Sequence, residues 1–509
     1  MGCYARNRRK KYLTLFYPVT AKNFDTYVAM VEKDVELLRK RATLGYIVPD
    51  AWLTGVSYVP LRKLLLTRGI VLDLVNLPYD VFPDAYVDTV TIVFSKSNGS
   101  SDPKFGKVGV INFGKRDRIS DINDYLSRRV YIDYRIWADD PYLAFRISLS
   151  PTDYAIEKKL VQNVIQLGSI VRIDRGLEAY SKYRLSKEEI GRRIYHSSSK
   201  LDESYIKQFR GELRRYTLVE EGELWVKWGQ HLAEYPDIDF FEKPRILLRR
   251  LISRQFRLMA TYTEVKLAND SSTFNLICKD QRYNLLFILA ILNSKLLSHF
   301  QIRRSQLAQR DDFPKLSLEE TRSFPMRRIE FITPPKDRAG LVYKAKALYE
   351  RCLAKNDLSC VTEFVNHSLE QKPEQADVIH DLLGFLAERM IEMNRETQVE
   401  SKGLLEWLEA TIGAKVDSLK NKTKIRGYYD TSIEELLDVL KENRKALKIN
   451  PASKDFFDLL KVEFQKSRKK LIPLKRQIAI TDCLIDLIVY RLYGLTEEEI
   501  IIVEGKGTS

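Results

Sequence analysis

The sequence is poor in the residues that carry most metal and covalent chemistry, with 5 histidines and 5 cysteines in 509 residues. Cys3, Cys278, Cys352, Cys360 and Cys483 form no CxxC pair and have neither the number nor the spacing of a disulfide framework. No zinc site or other metal site is therefore predicted, and a reducing cytoplasm is the expected setting. His196, His231, His299, His367 and His380 are scattered, which leaves no local histidine cage and no close His/Cys dyad. No apolar run approaches the roughly 18 residues of a membrane span, and the basic N-terminus is not followed by the apolar core of a signal peptide, so neither membrane insertion nor export is expected. Nucleotide loops are missing as well: there is no GxGxxG behind a strand and no GxxxxGK[ST], and no acidic pairing makes a convincing PD-(D/E)xK nuclease centre.

What is present is positive charge. Lys and Arg number 84 against 69 Asp and Glu, a net +15, which favours an acidic partner such as nucleic acid. At 59.4 kDa the chain is too long for one core and is expected to hold two to four domains. The first stretch reads as an α/β unit. A helix over 24–40, capped by Asn23, has the apolar face Phe24, Tyr27, Val28, Val31, Val35 and Leu38; a strand over 44–48 follows, then a helix over 59–67 ending at Gly69, then strands over 70–75 and 87–94. Three strands make an incomplete sheet, and Arg6, Arg8, Arg9, Lys10 and Lys11 stand where earlier strands are expected. An α/β or β-rich region runs on to about 335, with a helical stretch over 186–211. Long helices follow from 337, among them 377–394 and 477–493; in the latter the stripe Ile478, Ile485, Val489 and Leu492 is expected to pack into a core.

Two basic clusters are candidate DNA contacts. Lys243, Arg245, Arg249 and Arg250 lie on a turn entering a short strand, with Arg254 and Arg257 beyond. A strand aims these side chains, and the guanidinium fork suits either a phosphate or guanine's major-groove edge. Lys466, Arg468, Lys469, Lys470, Lys475 and Arg476 precede the last long helix and suit phosphates alone. Residues 170–176 begin as a strand and turn at Asp174, Arg175 and Gly176. Trp225, Trp228 and Tyr235 are expected to be packing residues. Asn76, Leu77, Pro78 and Tyr79 make the one tempting catalytic string, and are expected to be an ordinary turn.

Taken in order, 24–40, Gly45 to Asp50, 81–89 and the strand to Phe94 resemble the back half of the methylase domain in adenine-N6 DNA methyltransferases of the TaqI-like and Eco57I-like class, including fused restriction-modification enzymes and related phage-defence methylases. Residues 170–176, Lys243, Pro244 and Arg245, then 283–300 with Asn293 and Lys295, then Phe313 to Leu316, resemble the same class's target-recognition domain, and 485–500 resembles its C-terminal end. The resemblance implies an incomplete Rossmann-like methyltransferase sheet with linker over 1–150, a mixed α/β target-recognition domain over 151–335, and a mostly helical region over 336–509. It adds Arg172, Arg175, Asn293 and Lys295 to Lys243, Arg245, Arg249, Arg250, Lys469 and Lys470 as expected contacts to double-stranded DNA. The class's glycine-rich loop for S-adenosylmethionine and its Asn-Pro-Pro-Tyr loop fall before the matched part. Asn76 to Tyr79 has Leu77 in place of a proline and lies too close to the 82–89 match to be that loop. The implied assembly therefore transfers a methyl group only with a separate N-terminal polypeptide; this chain alone is expected neither to bind the cofactor tightly nor to methylate, and its own catalytic and cofactor-binding residues are unassigned. A noncatalytic DNA-specificity subunit and an inactive remnant are the alternatives.

Overall fold

A computed structural model of the chain describes residues 12–20, 25–78, 81, 82, 88–97, 106–113, 117, 121–138, 140, 142–147, 151–252, 256–305 and 314–505. Asn23, Phe24, Tyr79, 83–87, Arg254 and Phe313, and the N-terminal basic run, lie outside them. The chain divides into two compact units, residues 1–158 with 300–311, and residues 159–299 with 312–509.

In the first unit, α1 (Thr26–Leu37) buries Val28, Val31 and Val35, as its periodicity predicts. It leads to β1 (Thr43–Pro49); α2 (Val59–Arg68) then leads to β2 (Gly69–Asn76), and β3 (Thr89–Lys96), β4 (Lys107–Asn112) and β5 (Val130–Asp133) follow. The strand order is β1-β3-β2-β4-β5. Only β2 and β4 run parallel; β3 is antiparallel to both β1 and β2, and β5 is antiparallel to β4. The three expected strands are thus present, and two more extend the sheet beyond β2. Their sequences, KVGVIN and VYID, are short runs among polar residues, too brief for periodicity to separate from loop. Both faces of β2, β3 and β4 are covered, and Val71, Leu74, Val90, Phe94, Val108 and Val110 share a core with Trp52, Trp137 and Phe145. Among the described residues β1 pairs with β3 alone, and Ile47 on it is 51% exposed.

An unexpected cation closes this core. Arg62 of α2 is fully buried and donates from Nη1 to the carbonyl oxygens of Trp52 and Gly55 and from Nη2 to that of Tyr142, at 2.5, 2.9 and 2.8 Å. Burial lowers its pKa to about 10, so it stays charged at neutral pH.

The second unit opens with β6 (Val164–Gln166) and β7 (Val171–Arg175), continues through β8 (His196–Ser197), β9 (Tyr205–Lys207), β10 (Gly211–Arg214), β11 (Thr217–Glu220) and β12 (Trp225–Lys227), and reaches β13 (Arg245–Arg249), β14 (Ala260–Thr263), β15 (Thr273–Cys278) and β16 (Pro325–Arg327). Its largest sheet is antiparallel with the order β14-β13-β15-β7; β8-β12-β9 form a smaller sheet and β10-β11 a hairpin. The helix expected over 186–211 is a single short one, Lys187–Gly191. Ser186 and Glu189 cap it reciprocally, but Arg193 turns to φ 52° just after it and the chain goes into β8 and β9. Trp228 packs edge-on against Tyr235 and Phe241, so these aromatics do serve packing.

Behind the sheet, α3 (Leu285–Asn293) is buried along nearly its whole length. The C-terminal part is helical as expected, and its two long helices, α4 (Ala376–Ile412) and α5 (Lys454–Leu492), outrun the segments that periodicity marks. Ile485, Val489 and Leu492 are buried and Ile478 partly so. Among the described residues no single helix is long and apolar enough to cross a membrane.

Arg62→Ala removes from the core a guanidinium that donates to three carbonyl oxygens, one of which, that of Gly55, keeps the Tyr58 N–H, and is expected to cost about 3–5 kcal/mol. Urea unfolding followed by tryptophan fluorescence reports on this core through Trp52 and Trp137; a loss below about 1 kcal/mol would show that the clamp contributes little.

Candidate nucleic-acid interface

The strand Arg245–Arg249 carries cations at its ends and Ile246, Leu247 and Leu248 between them, all buried, which makes it a central strand. Its register separates the charges. Ile277 of β15 pairs with both Arg245 and Arg172, whereas Phe274 pairs with both Leu248 and Arg175. Arg172, Lys243 and Arg245 therefore lie at one end of the sheet, and Arg175, Arg249 and Arg250 at the other.

At the first end the positive charge is already met. Arg172 pairs with Asp237 at 2.9 Å and Asp239 at 3.5 Å, and Lys243 reaches Asp239 at 2.7 Å. Arg172 and Lys243 remain exposed. Arg245 is not a surface residue at all. It is 0% exposed and donates to the carbonyl oxygens of Lys243, Val265 and Leu267, with burial lowering its pKa to about 10. The expectation that Arg245 meets DNA is corrected on that ground: the central strand is buried on both faces here, and the guanidinium lies inside, where backbone oxygens hold it.

The second end keeps its cations near a cleft. Arg249 lines a cleft of about 410 Å³ together with Arg193, Gln208, Arg210, Glu212 and Asn269. Arg250 lies over the Phe274 ring, 5.3 Å from its centroid, and donates to the Ser271 carbonyl; its pKa is lowered first by burial and then by neighbouring Arg175. Repulsion between cations held this close relaxes when an anion arrives. The hairpin β10-β11 forms one wall. It begins at Gly211, whose φ is +143°, and a Cβ there would lie 1.9 Å from the Val219 carbonyl oxygen, so only glycine fits. On that wall the Glu212 carboxyl is held below its ordinary range, mainly by its hydrogen bond from Arg214. Arg193 and Arg210 were not among the sequence candidates. They lie in a stretch that reads as helical, and only the cleft connects them with Arg249.

Asn293 has an interior role that also corrects the expectation of DNA contact, whereas Lys295 is half-buried and ion-paired. The Asn293 side chain accepts from Ala260 N and donates to Ala260 O, both at 2.9 Å, and so completes the open edge of β14. The Lys295 backbone N–H donates to Asp486 at 2.8 Å, and its Nζ lies 2.6 Å from Glu504. Arg257 and Arg215 both donate to the Asn293 carbonyl, and Arg215 is also salt-bridged to Asp482 on α5. This network ties α5 to the sheet. On α5 itself Lys469 is exposed, and Lys470 pairs with Glu400 of α4 at 2.8 Å.

In the first unit Asn76 ends β2, its Nδ2 donating to Asn112 Oδ1 at 2.8 Å while its carbonyl accepts from Phe113 N. Its neighbour Leu77 donates to the Thr89 carbonyl, so the described part of this string is a strand end held by its own sheet. Among the described residues of this unit Gly45 and Gly69 lie within β1 and β2, and Gly55 lies in the turns after β1, where a Cβ would meet the Ala51 carbonyl oxygen at 2.7 Å. Among the described residues no group of His, Cys, Asp and Glu is placed to hold a metal ion.

Comparison with known proteins accounts for this layout. A family model described as the TaqI-like C-terminal specificity domain matches residues 206–326, which hold the hairpin, β13 to β15 and most of the cleft. The Eco57I restriction-modification methylase model matches residues 4–82, and a domain of unknown function matches residues 376–489. The chain thus carries a segment similar to a restriction-modification methylase domain, followed by one similar to a TaqI-like specificity domain. More particularly, it is 30% identical over 309 residues to a protein of Methanocaldococcus jannaschii named "Putative type II restriction enzyme and methyltransferase RM.MjaORFECS2P", a match covering 60% of this chain and 25% of that protein. The chain therefore spans about a quarter of that relative's length. Solved structures similar to it include the type IIL restriction-modification enzyme MmeI in complex with DNA, at 13% identity and TM-score 0.39 over 74% of this chain and 51% of that one. The type IIG restriction endonuclease BpuSI is another, at 14% identity and TM-score 0.27 over 65% and 46%.

The network at Lys295 has a measurable signature. Burial raises Asp486 to about 6, against the attraction of Arg257. The folded state then holds this proton more tightly than the unfolded one, so from about pH 4 to about pH 6 stability falls as pH rises, by roughly 2–3 kcal/mol in total. Asp486→Asn is expected to flatten that part of the profile of thermal midpoint against pH. An unchanged slope would show that Asp486 titrates normally.

Proposed function

We propose that this chain is the DNA-reading, C-terminal portion of an adenine-N6 DNA methyltransferase or restriction-modification enzyme of the cytoplasm. The observation that carries this reading is the basic cleft of Arg193, Arg210 and Arg249, of which all but Arg193 lies within the stretch matched by the specificity-domain family. In this reading residues 1–150 are the tail of the methylase domain, 151–335 the target-recognition domain, and 336–509 a helical domain. Arg175, Arg249 and Arg250 approach double-stranded DNA at the cleft, Arg172 and Lys243 meet it from the other end of the sheet, and Lys469 and Lys470 hold phosphates. The methyl donor, S-adenosylmethionine, and the loop that grips the flipped adenine belong to a separate N-terminal methylase polypeptide. A base-flipping transfer needs the extruded base and the donor within one site, and the described residues of this chain offer only the DNA-reading half.

Among the described residues the second edge of β1 has no strand partner, which supports such a companion. A seven-residue strand with an open edge and an exposed Ile47 is a template for a further strand, through which a sheet continues from one polypeptide to the next. A noncatalytic specificity subunit is the second reading, favoured by the involvement of Asn76 and Leu77 in the sheet's own hydrogen bonds.

The isolated chain is expected to bind duplex DNA with log affinity falling by about 0.9 per neutralised phosphate per unit of log salt. Filter binding across a salt series checks this, and no binding at low salt would remove the nucleic-acid reading. Calorimetry of the chain alone is expected to show no tight S-adenosylmethionine binding, with methyl transfer appearing only on addition of the methylase polypeptide. Stoichiometric cofactor binding by the isolated chain would overturn the divided arrangement, and no transfer in the mixture would favour the specificity subunit.

A further inference from the structure

Gln208 follows β9 and forms part of the cleft wall, with its side chain almost entirely buried. It is held from behind by a chain of hydrogen bonds with one direction. The Tyr195 backbone N–H donates to Tyr180 Oη at 3.2 Å, and Tyr180 Oη lies 2.6 Å from His196 Nδ1. His196 Nε2 lies 2.9 Å from Gln208 Oε1. Because the tyrosine oxygen already accepts from Tyr195, its own proton points to Nδ1, and the imidazole carries its proton on Nε2 and donates it to the glutamine oxygen. Burial lowers the pKa of His196, which keeps the ring neutral and this order intact. The Tyr180 ring is stacked on Tyr195, 5.4 Å between centroids and 6° from parallel, so the relay starts from a fixed ring.

With Oε1 engaged by His196, the amide nitrogen is the end left over. Among the described residues Gln208 Nε2 has no hydrogen-bond partner, and it belongs to the same cleft as three arginines. A second observation points to an occupant. Asn269 lines this cleft, is 1% exposed, and leaves its Oδ1 without a hydrogen-bond partner. Buried polar atoms are rarely left so unless a ligand or water completes them.

We propose that Gln208 is a specificity-determining residue, reading an acceptor atom on a base edge with its Nε2 amide, and that Tyr180 and His196 are positioning residues that fix which end of the amide faces the DNA. The inference rests on the reading of this region as a DNA-recognition domain. A donor held in this way donates to guanine O6 or N7, adenine N7 or thymine O4, and disfavours the N4 amine of cytosine, which is itself a donor. A freely rotating glutamine could satisfy either kind of edge by turning over; the relay removes that choice.

The test is selection of bound duplexes from a randomised pool by the full chain, with affinities then measured for the enriched sequence and its single-base substitutions. The wild type is expected to enrich an acceptor-edge base at one position. Gln208→Ala should lose roughly 10-fold or more of the discrimination at that position and leave the others unchanged. Tyr180→Phe keeps the stacked ring but removes the hydroxyl proton, and should loosen the same position by a smaller factor with no change in the salt dependence of binding. Gln208→Glu, an acceptor, should shift the preference there toward cytosine. Unchanged preferences in Gln208→Ala, or a loss spread evenly over every position, overturn the assignment. A Tyr180→Phe variant as selective as the wild type overturns the relay alone. A wild-type chain that binds duplexes without enriching any sequence, or binds none, overturns the DNA-recognition reading and this inference with it.

Discussion

The register of β13 between β14 and β15 is the constraint on which the rest of the second unit depends. With Ile246, Leu247 and Leu248 all buried, both faces of β13 are covered, and a shift of one residue would carry the Arg245 guanidinium away from the carbonyl oxygens that hold it and Arg249 away from the cleft. The observed pairing does the reverse. It puts Arg245 where three carbonyl oxygens receive it and Arg249 at the cleft, and by the same alignment on β15 it sets Arg172 and Arg175 at opposite ends of the sheet. Hydrophobic burial thus decides which cations of a seemingly continuous basic patch are available to an anion.

That sorting limits what net charge can say. The excess of +15 is real, but Arg62 and Arg245 are interior cations held by carbonyl oxygens, and Arg215 and Arg257 are interior cations held by carbonyls and carboxylates. Such arginines stabilise loops and helix junctions without contributing to the outward field. A guanidinium suits this use because it remains charged when buried and spreads several donors in a plane.

Much of the architecture was readable from local pattern. The helix ending at Gly69, the strands flanking it, the strand at 245–249 and the long C-terminal helices all follow from apolar periodicity and from glycine and proline stops. Short strands were not readable. KVGVIN and VYID have few residues in which to show alternation, and the stretch after Ser186 begins with a sound capping box that the left-handed turn at Arg193 cuts short. The site was legible only in part. Sequence neighbours such as Arg245 and Arg249 are separated in space, while Arg193, Gln208 and Arg249 are brought to one cleft by strand pairing that sequence distance conceals. The resemblance over 283–300 marks Asn293 as a recognition residue; its role is to hydrogen-bond the open edge of a strand, a role that exists only once β14 is in place.

The hairpin that walls the cleft is joined to the main sheet by its turn. Tyr216, at φ 61° in that turn, is fully buried and donates its N–H to Ala260, while Glu212 and Arg214 further along are exposed. Anchoring and display are therefore divided between different residues of one short segment. A lineage can exchange the displayed side chains, and with them what the cleft accepts, at little risk to folding, so long as Gly211 and the buried tyrosine persist. The wall is in that sense a replaceable cassette, and divergence among descendants of this chain is expected to concentrate on it while the strands behind stay the same.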